Sequence, residues 1–155
     1  MNVQVLGTEF DVSAYEDEPA IRTTLVKGAV RATAADRQGR VQQLVLKPGE
    51  QAALVDSFDQ LRRQTVNPDE MIGWHYGEFR CHDTELPVIL RQLARWYDIK
   101  IEYRGSPTGI YFDGVFSRRH PLEEVLDILA DTRKVHFELK KPATLVVIPG
   151  TKPNR

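Results

Sequence analysis

The feature that most constrains the fold of this chain is a pattern of apolar residues that occurs twice in its second half. A shift of 36 residues superposes the two copies. The spacing i, i+3, i+4, i+7 is that of one helix face, and the apolar positions after it alternate as in a strand. The pattern therefore predicts two β-α-β units. The matched pairs are Phe79 with Val115, Leu86 with Leu122, Ile89 with Val125, Leu90 with Leu126, Leu93 with Leu129, Ala94 with Ala130, Ile99 with Val135, Ile101 with Phe137, and Tyr103 with Leu139.

Residues at the helix starts support both units. We expect the first helix to begin near Asp83-Thr84, where either side chain can cap backbone N–H groups, with Pro87 in its first turn. The second helix is expected to begin near Pro121. A further strand, Ala143–Ile148, follows Pro142, which gives the order β-α-β-β-α-β-β. Because each helix has a single apolar stripe, both must pack against sheet.

The first half of the chain has the pattern of short strands. The candidates are Val3–Tyr15, Thr23–Thr33 and Val41–Val55, each with partial period-2 alternation. Lys27-Gly28 is expected to form a tight hairpin, because glycine readily adopts positive φ. Pro48-Gly49 suits the two central positions of a type II turn. This half is therefore predicted to be all-β, and the whole chain to be α+β, with its two helices packed on small sheets.

The predicted domain boundary lies at a turn-forming segment, Asn67-Pro68-Asp69-Glu70, because an Asn-Pro pair disfavours helix and starts turns. We expect an all-β domain over residues 1–68 and the duplicated β-α-β domain over 69–150. Residues 151–155 are expected to form a tail.

Composition excludes several classes of protein. The 155 residues have a formal net charge of −1, so the chain lacks the basic surface that nucleic acids or anionic membranes would require. No apolar run approaches the roughly 20 residues that cross a bilayer. The single cysteine, Cys81, excludes an internal disulfide and any zinc site with several cysteines. A periplasmic location remains compatible with one cysteine.

Three residues that could bind a metal lie close together in sequence: His75, Cys81 and His82. Their spacing matches neither a zinc ribbon nor a helical His-x-x-x-His pair. On a strand, Cys81 and His82 would also point to opposite faces. We therefore predict a buried thiol beside exposed imidazoles, with no metal or other cofactor. A metal-dependent enzyme built on these three residues remains the alternative.

Two other groups could bind a ligand. Trp74, Trp96 and Tyr97 could form an aromatic cage, but we expect Trp96 and Tyr97 to cover the core at the end of the first helix. The segment Arg118-Arg119-His120 could contact phosphate, but a solvated loop before a helix is the expectation. The acidic residues of the second helix lie mostly on its solvent face, so no catalytic pair of carboxylates is predicted. The chain is not expected to be an enzyme.

Several stretches resemble one known family. VLGTEF (Val5–Phe10), TLVKGAVR (Thr24–Arg31) and LKPGEQA (Leu46–Ala52) resemble the later part of the FecR-type periplasmic sensor domain. IGWHYGEF (Ile72–Phe79) and RQLARWYDIKIEY (Arg91–Tyr103) are similar to the C-terminal segment of the same proteins. That segment resembles the STN domain of secretins and of TonB-dependent transducers, for which a duplicated β-α-β fold is expected.

The resemblance implies the periplasmic, signal-receiving part of an anti-sigma regulator that one helix anchors in the inner membrane. Its partners would be the N-terminal signalling domain of a TonB-dependent outer-membrane transducer and an extracytoplasmic-function sigma factor, the latter held by a cytoplasmic segment. That segment, the membrane helix and the front of the sensor domain are absent from the sequence, so we expect a fragment. The alternative is an STN-like docking module of a secretin or receptor, against which the all-β half counts.

A regulator without catalytic activity must act through binding, and an open sheet edge offers one way to bind a partner. We expect the transducer domain to add a strand to an edge of the second half. The first candidate is the strand Ala143–Ile148, and the second is Tyr111–Phe116. The alternative is that the first strand is covered by the all-β half or paired within its own sheet. The candidate interaction residues are Thr144, Leu145, Val146, Val147, Ile148, Tyr111 and Phe112.

Overall fold

A computed structural model of the chain describes residues 1–5, 7–55 and 60–150, so the predicted tail at 151–155 lies outside the described residues. Contacts along the chain divide it into two units, Met1–Ile72 and Gly73–Arg155. The first unit consists almost entirely of strands, and the second combines two longer helices with small sheets. The predicted α+β class is therefore confirmed.

The described part of the first unit contains two antiparallel sheets. Their strand orders are β1-β4-β5 and β2-β3-β6-β7. Apolar residues from both sheets form one core, which contains Leu25, Val30, Leu46 and Leu61. The strands are β1 (Asn2–Val5), β2 (Glu9–Ser13), β3 (Ala20–Lys27), β4 (Val30–Ala35), β5 (Val41–Leu46), β6 (Glu50–Val55) and β7 (Gln60–Thr65).

Each predicted strand of this half is in fact two strands that belong to different sheets. The expected hairpin at Lys27-Gly28 is wrong, because β3 pairs with β2 and β6 while β4 pairs with β1 and β5. Gly28 has φ +92, and a Cβ there would lie 3.1 Å from the Gly7 carbonyl oxygen. The turn therefore needs glycine, but it moves the chain from one sheet to the other.

The predicted type II turn is confirmed. The Glu50 N–H donates to the Lys47 carbonyl oxygen at 2.9 Å, and Gly49 has φ +83. This turn also joins strands of different sheets, β5 and β6.

The segment predicted as a linker forms a short helix, α1 (Pro68–Met71). The Asn67 side chain accepts a hydrogen bond from the Asp69 N–H at 3.1 Å, and Pro68 occupies the first turn. Both residue types favour a helix start, so the Asn-Pro pair begins a helix here and does not exclude one.

The second unit has the predicted order β-α-β-β-α-β-β, preceded by a short 3₁₀ helix at Gly73–Tyr76. One sheet pairs β8 with β10, and the other has the order β11-β12-β9. β12 is antiparallel to β11 and parallel to β9. The elements are β8 (Glu78–Glu85), α2 (Leu86–Tyr97), β9 (Lys100–Tyr103), β10 (Tyr111–Ser117), α3 (Leu122–Asp131), β11 (Val135–Lys140) and β12 (Thr144–Pro149).

The predicted repeat supplies the core of this unit. The two matched alanines, Ala94 and Ala130, are partly buried. The eight larger helix positions of the repeat are buried, and they belong to one cluster with residues of both sheets. These positions are Leu86, Ile89, Leu90 and Leu93 of α2 and Leu122, Val125, Leu126 and Leu129 of α3.

The matched pair Phe79 and Val115 is not buried at both positions. Phe79 is buried, but Val115 is exposed and Phe116 is buried in its place. Phe116 is also the residue that pairs with Phe79 in the ladder. A bulge in β8, where Asp83 has φ +46, adds one residue between Phe79 and α2. The equivalent position in the second copy is therefore one residue closer to its helix.

The prediction that Ala143–Ile148 forms an outer strand is wrong. β12 lies between β11 and β9, and Leu145, Val146 and Val147 are fully buried. Alternate residues of a strand point to opposite faces, so three consecutive buried residues mean that both faces of β12 are covered. An unbroken apolar run is typical of such central strands.

No helix within the described ranges is long and apolar enough to cross a membrane.

Equivalent core positions of the two helices should be about equally important for stability. Truncating Leu93 or Leu129 to alanine leaves a cavity in the shared core, so each change should lower the free energy of unfolding by about 2–5 kcal/mol. Both tryptophans of the chain, Trp74 and Trp96, lie in the second unit, so urea unfolding followed by their fluorescence reports this unit.

The matched control is Ile128→Ala, since this residue of α3 is 46% exposed. Its effect should stay below about 1 kcal/mol. Equal losses for Leu129→Ala and Ile128→Ala would contradict the placement of the apolar stripe.

Candidate functional site

The sheet formed by β8 and β10 has one buried face and one exposed face. Phe79, Phe112 and Phe116 point into the core, whereas Tyr111 and Val115 lie on the opposite face and are 43% and 62% exposed. Among the described residues β10 pairs only with β8, so its other edge is open. We call Tyr76, Arg80, Tyr111 and Val115, together with this edge, the β8–β10 surface.

Hydrogen bonds just beyond the ends of the sheet fix which backbone groups face the open edge. The Arg118 N–H donates to the Gly77 carbonyl at 2.8 Å, just past Ser117. In an antiparallel pair, residues that exchange hydrogen bonds alternate with residues whose N–H and C=O point away from the partner. Val115 and Ser117 therefore direct their backbone groups outward, although the Ser117 carbonyl already accepts a hydrogen bond from the His120 N–H at 3.3 Å.

The start of the same edge is already occupied. The Leu86 N–H donates to the Ile110 carbonyl at 2.8 Å, so the backbone of Tyr111 also points outward. There the Lys134 ammonium group donates to the Tyr111 carbonyl oxygen at 2.7 Å and lies over the Phe112 ring. The part of the edge left for a partner is therefore centred on Val115.

Side chains on the exposed face extend this surface. Arg80 is the ladder partner of Val115, and its guanidinium carbon lies 5.1 Å from the centre of the Tyr76 ring. The Arg80 Nε donates to Glu78 at 2.7 Å, which fixes the guanidinium on the sheet. Aromatic residues and arginine are enriched where binding energy is concentrated in protein interfaces.

A second group of stacked residues lies at the end of α2. The Arg118 guanidinium carbon lies 4.2 Å from the centre of the Phe79 ring and 4.8 Å from that of Trp96. The Trp96 Nε1–H donates to the Arg118 carbonyl at 3.1 Å. The predicted loop before α3 is present, with Arg119 and His120 exposed, but Arg118 is partly buried because its flat guanidinium stacks favourably on aromatic rings.

Trp96 and Tyr97 were both expected to cover the core, and this is correct for Tyr97 only. Tyr97 packs against the core, and its hydroxyl donates to the His120 carbonyl at 2.7 Å. Desolvation raises the pKa of Tyr97, although Arg118 opposes that shift. Trp96 is 49% exposed although Arg118 stacks on its ring, and Trp74 is 54% exposed. No aromatic cage is formed by these three residues.

The possible metal ligands do not converge. Cys81 is buried, and desolvation, with a smaller effect from Asp113, raises the pKa of its thiol to about 11. His82 is exposed and its Nδ1 lies 3.1 Å from Asp113 Oδ1, whereas His75 stacks edge-on against its neighbours Trp74 and Tyr76. Within the part of the chain that the structure describes, no three such side chains are grouped as a metal would require.

The structure separates the seven predicted interaction residues into two sets. Thr144–Ile148 lie in the central strand β12, and Phe112 is buried under β10. Tyr111 lies on the β8–β10 surface. The sequence analysis matched Val115 with Phe79 and did not include it among the interaction residues. Because Phe112 and Phe116 are buried, strand alternation directs Val115 away from the core.

Comparison with known proteins agrees with this geometry. Residues 78–147, from the start of β8 into β12, match the family described as FecR, C-terminal. This segment is therefore similar to the C-terminal domain of FecR proteins. The resemblance to FecR-family regulators that the sequence predicts is thereby confirmed for the second unit.

Solved structures resemble a larger part of the chain. Two crystal structures, each of a proposed anti-sigma factor from Parabacteroides distasonis ATCC 8503, have TM-scores of 0.72 and 0.74. They are 20% and 19% identical in sequence, and the similarity covers 97% and 96% of this chain and 68% and 67% of theirs. At this identity the likeness concerns the fold. None of the curated proteins matches the sequence.

The stacked position of Arg118 predicts an effect that its neighbour does not share. Arg118→Ala removes two ring contacts and the hydrogen bond from Nε to the Glu78 carbonyl, so it should lower the free energy of unfolding by about 1–3 kcal/mol. The near-UV circular dichroism of Trp96 should weaken as well. The matched control, Arg119→Ala, should change stability by less than about 0.5 kcal/mol. Identical effects would contradict the stacking.

Burial should protect Cys81 from reagents that attack the thiolate. With a pKa of about 11 in the folded chain, against the ordinary value of 9.0, little thiolate exists at pH 8. Reaction with a disulfide reagent such as DTNB should therefore be slow at pH 8 and accelerate in urea as the second unit unfolds. Because the folded pKa is the higher one, the stability linked to this thiol is present below pH 9 and decreases towards pH 11. Immediate labelling of the folded chain would contradict the burial.

Proposed function

We propose that this chain is the periplasmic, signal-receiving part of a transmembrane anti-sigma factor. It would bind the signalling domain of a TonB-dependent outer-membrane transducer and thereby control an extracytoplasmic-function sigma factor. The observation that carries the proposal is the FecR C-terminal match over residues 78–147. The likeness of almost the whole chain to proposed anti-sigma factors adds to it.

The proposed role is binding without catalysis. In the described part of the second unit, no three imidazole, thiol or carboxylate groups are grouped as a metal would require, and the Cys81 thiol is buried and neutral at pH 7. A sigma factor would be held by a cytoplasmic segment of the regulator, so no residue of this chain is assigned to sigma-factor binding.

The β8–β10 surface is the proposed docking site, and Val115 replaces the β12 residues as its centre. A strand of the transducer domain would pair with the outward N–H and C=O of Val115 and the N–H of Ser117, next to exposed Tyr111. Each main-chain hydrogen bond contributes about 1 kcal/mol net, whereas association costs on the order of 4–15 kcal/mol. Side chains such as Tyr76 and Arg80 must therefore provide much of the affinity.

Two substitutions at one position test this mode of docking. Val115→Ala removes the side chain and keeps the N–H, whereas Val115→Pro also removes the outward donor without taking a hydrogen bond from the β8 ladder. If a strand is added, Val115→Pro should weaken binding of the transducer's signalling domain on the order of tenfold more than Val115→Ala. Isothermal titration calorimetry with the purified domains measures the difference.

Two results would count against the proposal in different ways. Equal affinity for both variants would exclude strand addition at β10 while leaving the receiving role intact. Failure of the parent chain to bind the signalling domain of any TonB-dependent transducer from the same cell would contradict the function itself. Ile128→Ala, on an exposed face of α3, is the control for nonspecific loss of affinity.

A further inference from the structure

A groove lies in the second unit between α3 and the edge strand β11. Its volume is about 140 Å³. Its helix wall is made by residues at positions i, i+3, i+4 and i+7, which form one stripe of α3. Its strand wall is formed by alternate residues of β11, which point to the same face. The lining residues are Glu123, Leu126, Asp127, Ala130, Phe137 and Leu139.

The floor of the groove is apolar, and its rim is acidic. Leu126 is buried and Ala130 and Phe137 are partly buried, while Leu139 remains 47% exposed although it points toward the helix-covered face. Glu123 and Asp127 are exposed along the helix side of the groove. A ligand in the groove would therefore cover Leu139, and positive charges on it would lie beside the carboxylates of Glu123 and Asp127.

The backbone of β11 is also directed toward this groove. The Gly150 N–H donates to the Lys134 carbonyl at 2.7 Å, just before the first pair of the β11–β12 ladder, Val135 with Pro149. Alternation then directs the N–H and C=O groups of Val135, Phe137 and Leu139 away from β12. Pro149 fits this pattern, since it has no N–H to donate to Val135. Among described residues no strand pairs with this edge.

From this geometry we infer that the groove between α3 and β11 binds an extended basic peptide segment, which pairs with β11 as an additional strand. Main-chain bonds to Phe137 and Leu139 would set its register. One apolar side chain would enter the floor, and basic side chains two residues before and after it would lie on the same face, within reach of Glu123 and Asp127. The site is separate from the β8–β10 surface and does not depend on the proposed function.

Charge complementarity decides between the possible occupants. A second copy of the chain would bring another acidic groove against the first, whereas a basic segment is attracted by both carboxylates. The attraction of exposed charges is screened by salt, so binding should weaken as ionic strength rises.

The test uses the full 155-residue chain, labelled with ¹⁵N, and the synthetic peptide TKTVTKT. In this peptide the valine and both lysines share one face of an extended strand. Addition of the peptide should shift the amide signals of Phe137, Leu139 and the facing stripe of α3. The matched peptide TETVTET should bind at least tenfold more weakly. No localised shifts at millimolar TKTVTKT, or equal binding of both peptides, would overturn the proposal.

Matched variants test the two halves of the recognition separately. Glu123→Lys with Asp127→Lys should reduce affinity for TKTVTKT at least tenfold, whereas Glu124→Lys with Asp131→Lys, an equal charge change outside the groove, should change it less than twofold. Leu139→Pro removes an outward N–H while sparing the β12 ladder, and it should also weaken binding. Equal losses for the two charge variants would overturn the proposal, as would a dimer of the parent chain that Leu139→Pro dissociates.

Discussion

The second unit depends on one constraint: each of its two helices has a single apolar stripe that must be covered by sheet. Eight buried side chains of α2 and α3 meet the inner faces of a two-stranded and a three-stranded sheet in one cluster. The two-stranded sheet would not be stable alone, since an isolated strand pair is marginal in water, and the three-stranded sheet has an apolar face that the helices cover. Helices and sheets therefore stabilise each other, and both sheets keep open edges because they are small.

This dependence explains why the second half could be predicted from sequence. The helical spacing of Leu86, Ile89, Leu90 and Leu93 reports burial directly, and its repetition in α3 makes chance agreement improbable. The error of one residue at Val115 has a local cause. A bulge such as that at Asp83 depends on a positive φ at a residue other than glycine, which periodicity does not reveal.

Pairing between strands was much harder to predict than the strands themselves. In the first unit, the residues at Gly28 and Pro48-Gly49 correctly indicated turns, but the same turn chemistry joins strands within a sheet or between sheets. The error at β12 had a signal that could have corrected it. The run Leu145–Ile148 has no polar residue on either face, and an edge strand is unlikely to bury both of its faces. The prediction of an outer strand followed instead from the place of β12 late in the chain.

The two open edges of the second unit differ in how a partner could gain affinity from them. At β10, Lys134 already occupies the start of the edge, and the side chains available are Tyr111 and Val115 on an exposed face. At β11, the edge borders a groove with an apolar floor and two carboxylates. Backbone pairing offers similar hydrogen bonds to any extended chain, so selectivity must come from these side chains. The edge of β10 therefore suits a partner that also covers the exposed face with aromatic or apolar side chains. The edge of β11 suits a single extended strand with basic side chains.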